Sequence, residues 1–432
     1  MNTKTLYSLI IAALIALVAA WLITSSQKPS SESAEQSKAL LPGFREQVND
    51  VSGITLSGAE DKVIATLKRD KDGWIVADKG GYPADVAKLR EFLLKLADAT
   101  VLEQKTSNPK HYAELGVTDV KEKDAAGVLV ALDGLKQPVR LIVGNFNGGG
   151  GGGTFVRRDG DAQSVLVKGN LTVDKTAGAW EKKDLADIAA TRIRQVTITK
   201  PDGKTLKVYK EQSGDANFKV ADVPKGREVS SEFVANSLGA ALSGLRADDV
   251  FPAKDMAPDE KVYKANYRAF DGLVVDTTAW TKDGKDYAQF NASLDAGAAA
   301  AHVEAEQAKA KADYEAAVQA ANKKVAEEKP ASGTQADANA KAASDTEVAK
   351  PLAVSDAAKD KEQRLKALND EVAILNKTFA GWTFVLPSYK FSNLDKGMDD
   401  MLKPLEEKKA DAKEAKPAGK AAPKPAASAD KH

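Results

Sequence analysis

The first pattern along the chain is unbroken. Leu6–Ile23 reads LYSLIIAALIALVAAWLI and contains no charged residue. As a helix it spans roughly 27 Å, close to one hydrocarbon thickness. Its Leu, Ile and Val residues each favour insertion by about 0.3–0.6 kcal/mol at mid-membrane. Tyr7 and Trp21 lie near its ends, where amphipathic rings favour the interface. A cleaved leader has a shorter apolar core that runs into a small-x-small site. Here the core continues through Trp21, Leu22 and Ile23. The expectation is an uncleaved transmembrane helix over 6–24 behind a cytoplasmic head, 1–5. Lys4 precedes it, while Lys28 and Lys38 follow among Glu32 and Glu35, so charge bias is weak. The short head and the long following domain favour a cytoplasmic N-terminus. A polar tether, 25–44, comes next.

Beyond the tether the pattern changes to alternation, and the alternation repeats. VSGITLSGAEDKVIATLKRDKDGWIVAD begins at Val51, and IRQVTITKPDGKTLKVYKEQSGDANFKVAD begins at Ile193. Ile54 and Leu56 match Val196 and Ile198, and Trp74-Ile75-Val76 matches Phe218-Lys219-Val220. Period-two alternation predicts half-buried strands, with turns at Asp72-Gly73 and Asp202-Gly203. A helix follows in each copy. Val86, Leu89, Leu93 and Leu96 form one apolar stripe, and Leu238, Leu242 and Leu245 register with the last three at a constant offset. Asp85 is placed to cap the first helix, and Ser230 or Ser231 the second. Strands follow at Gly127–Asp133, Val139–Asn145, Thr154–Arg158 and Ser164–Gly169, then at Lys261–Phe270, Leu273–Thr281 and Asp286–Leu294. Short connections without crossover helices predict antiparallel meanders. The fold class read from the sequence is α+β: an N-terminal transmembrane helix, then two repeated α+β domains with antiparallel sheets, plus a helical insert. Repeat one covers 45–190; repeat two covers 191–295 and 377–404.

The insert, 296–376, breaks the second copy. It is rich in Ala, Lys and Glu; Ala310, Tyr314, Ala317 and Ala321 keep helical spacing, as do Leu365, Leu368, Val372, Leu375 and Phe379. Two helices around a Pro/Ser/Asp/Ala-rich tip are expected. Poor in aromatics, the insert is expected to add little to the core. Leu365, Leu368, Val372 and Leu375 are the candidate contacts for a partner helix. Gly381–Phe391 reads as a returning strand and Leu394–Leu405 as a closing helix, followed by a Lys/Ala/Pro-rich disordered tail, 405–432.

Composition narrows the chemistry. The 432 residues hold 62 basic and 62 acidic side chains, so no basic excess points to nucleic acid. There is no cysteine, and His111, His302 and His432 are the three histidines. Thiolate metal sites, iron–sulfur clusters and cysteine nucleophiles are therefore excluded. No catalytic, cofactor-binding or metal-ligating residue is assigned. Asn147–Gly153, NGGGGGG, leads into a strand instead of the Gly-Lys-Ser/Thr and helix of a phosphate loop, so it reads as a hairpin loop. His111 has no placed partners, and Asp248-Asp249, Asp271 and Asp276 lack the spacing of a calcium loop. Trp74, Trp280 and Trp382 sit in strand-like stretches and read first as packing residues; Trp280 and Trp382 are also the candidates for ligand stacking.

The order of a single membrane helix, WIVADKGGYPADVAKLREFLLKLADATVLEQKTSNPKHYAELGV and a strand-rich segment resembles the bacterial domain-of-unknown-function family 4340. The helix Ala84–Asp98, Lys105–Pro109 and His111–Val117 carry the resemblance, which covers 40–188 well and the second copy more loosely. It implies an association with ABC-type transport systems, including gliding-motility-type auxiliary proteins, and it brings no catalytic residues. The expected function is a non-enzymatic, membrane-anchored periplasmic accessory of an ABC-type transport or cell-envelope system. It would sit in a bacterial inner membrane, with an ABC-type permease or auxiliary membrane protein as partner. The alternatives are a periplasmic ligand- or polysaccharide-binding module and, further off, an envelope hydrolase.

Overall fold

The computed structural model describes residues 38–149, 152–258, 260–327 and 348–404. The expected membrane helix, 6–24, and the tail, 405–432, lie outside them. Among the described residues no helix is long and apolar enough to cross a membrane.

Two large antiparallel sheets carry the α+β fold. The first is built from β1 (Gly53–Ser57), β2 (Val63–Asp70), β3 (Gly73–Val76), β4 (Tyr82–Pro83), β5 (Val101–Gln104), β6 (Val128–Asp133), β7 (Val139–Asn147), β8 (Gly153–Arg158) and β9 (Ser164–Lys168). After β10 (Asp184–Ala186) come β11 (Ile193–Thr199), β12 (Thr205–Tyr209), β13 (Lys219–Val220), β14 (Leu245–Arg246), β15 (Asp249–Pro252), β16 (Tyr263–Ala269), β17 (Leu273–Lys282), β18 (Lys285–Leu294) and β19 (Trp382–Val385). The first sheet runs β4-β3-β2-β1-β6-β7-β8-β9-β5 and the second β13-β12-β11-β16-β17-β18-β19-β15, while β10 and β14 pair separately. Each large sheet thus begins with three strands in reverse chain order. Each continues through a four-strand meander and ends on a strand that follows a helix. The one extra strand, β4, extends the edge of the first sheet.

Helix α1 (Val86–Asp98) lies between β4 and β5, and α2 (Glu232–Gly239) between β13 and β14. The carboxylate of Asp85 accepts from the Lys88 amide at 3.0 Å, and the Ser231 hydroxyl from the Phe233 amide at 3.2 Å. These contacts satisfy amides that a helix start leaves unpaired. Leu89, Leu93 and Leu96 are buried on α1. The matching Leu238, Leu242 and Leu245 are also buried, but α2 stops at Gly239, so Leu242 falls in a turn and Leu245 in β14. Gly239 and the Gly244 beyond it are poor helix formers, which explains the early stop.

The insert enters between β18 and β19 as α3 (Ala296–Glu327) and leaves as α4 (Ala357–Phe379). Both roots are built into the second sheet. Ala299 and Val303 are buried, and Leu375 and Phe379 belong to its core. The Asn376 side chain accepts from the Ala292 amide at 2.8 Å and donates to the Ala292 carbonyl at 2.7 Å. Arg192 holds both carboxylate oxygens of Glu371 at 2.7 Å and also pairs with Asp271. The expectation that the insert adds little to the core fails at these ends. Composition averaged over the segment hides a few large side chains placed on the sheet. The returning strand is also shorter than expected and stops at Val385; Pro387, with no amide to donate, precedes a short helix at Ser388–Phe391.

Candidate functional site

Of the four candidate partner contacts, Leu375 is buried in the chain's own core and Val372 packs against it. Those two are spent internally, which corrects their reading as free contacts. Leu365 and Leu368 are half-buried. Of the candidate stacking residues, one is enclosed and the other half-buried. Trp280 has no exposed surface and stacks on Tyr287 with ring centroids 5.8 Å apart. Trp382 is half-buried, with Tyr82 edge-on to it at 4.9 Å. Trp280 therefore offers no free ring face. His111 lies exposed beside Glu114, at 3.2 Å, and Asp271 is taken by Arg192. Asn147 ends β7 and Gly153 starts β8, so the glycine run is a hairpin connection.

What the structure brings together is a junction. Tyr82, on the edge strand of the first sheet, is fully buried in the core of the second, edge-on to Trp382 and to Phe384. Next to it, the linker after Trp180 is zipped between the halves. The Lys182 amide donates to the Pro83 carbonyl, and the Ala247 amide donates to the Lys183 carbonyl. Glu181 is completely buried there. Lys79 Nζ lies 3.2 Å from its Oε1 as an ion pair without hydrogen-bond alignment, and Lys183 Nζ lies 3.2 Å from its Oε2. Lys79 also pairs with Asp249 of β15 and rests over the Phe251 ring. Above this network is an open cleft of about 500 Å³, lined by Lys79, Gly178, Lys183, Asp248 and Asp249 among others.

Burial pushes the Glu181 carboxyl upward by more than Lys183 and Lys79 pull it down. Burial alone would lower the Lys79 pKa, but the bond to Asp249 and the field of Glu181 outweigh it, and the net shift is upward. Burial also raises the Tyr82 hydroxyl above its usual range, so it stays protonated at neutral pH. Lys79 thus faces Glu181 and Asp249, and Lys183 faces Glu181 and donates to the Asp248 carbonyl. The arrangement clamps two halves together. Among the described residues no cluster of three or more His, Asp or Glu side chains could hold a metal. Sequence reasoning missed this junction, because Lys79, Glu181 and Asp249 are far apart in the chain and carry no motif.

Residues 74–269 match the sequence model of a family described as a domain of unknown function, DUF4340. That stretch is similar to the DUF4340 family. No curated protein and no solved structure matches the chain. The match begins later than the resemblance first seen in the sequence and runs on through β16. It therefore takes in α1, α2 and the Tyr82, Lys79, Glu181 and Asp249 part of the junction.

Within the DUF4340 stretch, the recognisable run at 105–117 is packing. Asn108 caps a short turn that starts at Pro109, and a helix at Tyr112–Leu115 ends on Gly116 in the left-handed conformation, φ 69°. This turn presses onto the first sheet. A Cβ at Gly127 would lie 2.3 Å from the Gly116 carbonyl, and one at Gly144 2.3 Å from the Leu115 carbonyl. The Tyr112 hydroxyl donates to the Ala162 carbonyl, and the buried Arg157 sits 4.7 Å from the Tyr112 ring centroid while donating to the Val117 carbonyl.

Proposed function

We propose that the protein is a membrane-anchored, non-enzymatic interaction component on the periplasmic side of a bacterial inner membrane, serving an ABC-type transport or cell-envelope system. The junction is the observation that carries this reading. Lys79, Glu181 and Asp249 are engaged with one another across it, and Tyr82 and Phe384 are enclosed. The chain is thereby suited to act by presenting surface. The common strand order, with α1 and α2 in matching positions, supports descent from a duplicated α+β module. The apolar segment 6–24 supports a single-pass anchor with an N-terminal cytoplasmic head. The family resemblance supports the transporter association, with an ABC-type permease or auxiliary membrane protein as partner.

Crosslinking the full chain in its native membrane and identifying what co-purifies tests this. Recovery of permease or auxiliary subunits is the expected result. Recovery of none, together with turnover of a cell-envelope substrate by the purified chain, would favour the hydrolase reading instead.

A further inference from the structure

At one matched place the two halves close differently over an aromatic ring. In the second half, the Lys210 ammonium lies over the Phe218 ring, 4.8 Å from its centroid, and both residues are buried. Helix α2 closes over that ring at Gly239, where a Cβ would lie 2.2 Å from a ring carbon. The site is sealed because glycine lets the helix backbone lie against the aromatic face. In the first half, the Arg69 guanidinium lies over Trp74 at 5.3 Å. Trp74 is the residue that aligns with Phe218. The Arg69 amide bonds the Ser52 carbonyl just as the Lys210 amide bonds that of Arg194. The residue aligned with Gly239 is Arg90. Here α1 does not seal the aromatic: Trp74 is half-buried, Arg69 and Arg90 are exposed, and a cavity of about 290 Å³ remains.

The chemistry of that cavity is lopsided. Leu93 and Trp74 form its apolar wall, Val86 and Leu94 are exposed at its rim, and both charged lining groups are guanidiniums. Arg69 donates to the Asn49 carbonyl at 3.0 Å, a neutral acceptor that leaves its charge uncompensated. Among the described residues neither Arg69 nor Arg90 has a carboxylate within ion-pair distance. In a chain with equal numbers of basic and acidic residues, two such guanidiniums beside a tryptophan are complementary to an anion with an apolar body. We propose that the groove between α1 and the β2–β3 hairpin binds a small amphipathic carboxylate. Its acid lies between Arg69 and Arg90, and its apolar body lies on Trp74 and Leu93. The site is independent of the junction.

The test is calorimetric titration of the full-length chain with 4-phenylbutyrate and with its neutral amide. The acid is expected to bind at least about tenfold more tightly than the amide, about 1.4 kcal/mol. Arg90→Gln is expected to remove most of that preference, and Arg90→Gly to weaken both ligands as α1 closes on Trp74. The exposed position of Arg90 keeps these variants folded. Equal affinity for acid and amide overturns the proposal, as does acid binding that survives Arg69→Gln combined with Arg90→Gln, or no binding up to the solubility of the acid. Binding of an acidic aromatic peptide but not of the free acid also overturns it and assigns the groove to a protein segment.

Discussion

Tyr82 is the most informative single residue to change, because it is supplied by one sheet and buried in the core of the other. Replacing it with alanine removes a phenol ring with no exposed surface, together with its edge contacts to Trp382 at 4.9 Å and Phe384 at 6.2 Å. Truncating a fully buried aromatic to alanine costs about 3–5 kcal/mol. At about 2 °C per kcal/mol for a unit of this size, the melting temperature should fall by roughly 6–10 °C. The loss should also split the transition, since the ring couples the two halves, and cooperative unfolding requires that coupling. Tyr82→Phe should behave differently. The hydroxyl is buried without a hydrogen-bond partner, so removing it relieves a desolvation cost and should leave stability unchanged or raise it by about 1 kcal/mol. Both variants are read by thermal and denaturant unfolding of the full chain against the parent. A Tyr82→Phe loss above about 1 kcal/mol would mean that the hydroxyl is bonded. A Tyr82→Ala loss below that figure would mean that the ring does not bridge the cores, and either result refutes the reasoning.

The pH dependence of the junction comes from Glu181. Its folded pKa is raised above the ordinary 4.5, so its contribution is fully present below that pH and is lost as pH rises through the raised value; unfolding at stepped pH should show Glu181→Gln gaining on the parent above pH 4.5. Replacing residues 308–350 with a short Gly/Ser linker should move the melting temperature by less than about 2 °C, whereas replacing 296–376 should abolish soluble folding, because Leu375 is core and Glu371 holds Arg192. Gly127→Ala should cost roughly 1–3 kcal/mol in denaturant unfolding, because its Cβ would lie 2.3 Å from the Gly116 carbonyl.

Much of the fold was legible because its elements carry local signals. The alternation in Ile54–Leu56 and Val196–Ile198, the leucine stripe of α1, and the caps at Asp85 and Ser231 all act within a few residues of chain. The glycine-rich loop at 147–153 was likewise readable as a hairpin, because Thr154, Phe155 and Val156 after it are strand formers. The end of α2 was not, because Leu242 and Leu245 keep helical spacing while serving the same core from a turn and a strand. Leu375 was misjudged for a related reason: periodicity says which helix face is apolar and leaves open whether that face meets the chain's own sheet or a partner. The junction and the open groove were out of reach. Lys79, Glu181 and Asp249 converge through the path of the linker, and Arg90 differs from Gly239 only once the two halves are laid over each other.

Tyr82 and the Lys79–Glu181–Asp249 network clamp the two sheets into one unit. Because the chain has no cysteine, spin labels can be placed cleanly at Lys68→Cys and Lys207→Cys, exposed positions on β2 and β12. The decisive measurement is the distance distribution between them by pulsed electron–electron resonance in the full-length chain. One narrow distance is expected in the parent chain, broadening in Tyr82→Ala. A broad or two-peaked distribution in the parent chain would contradict it.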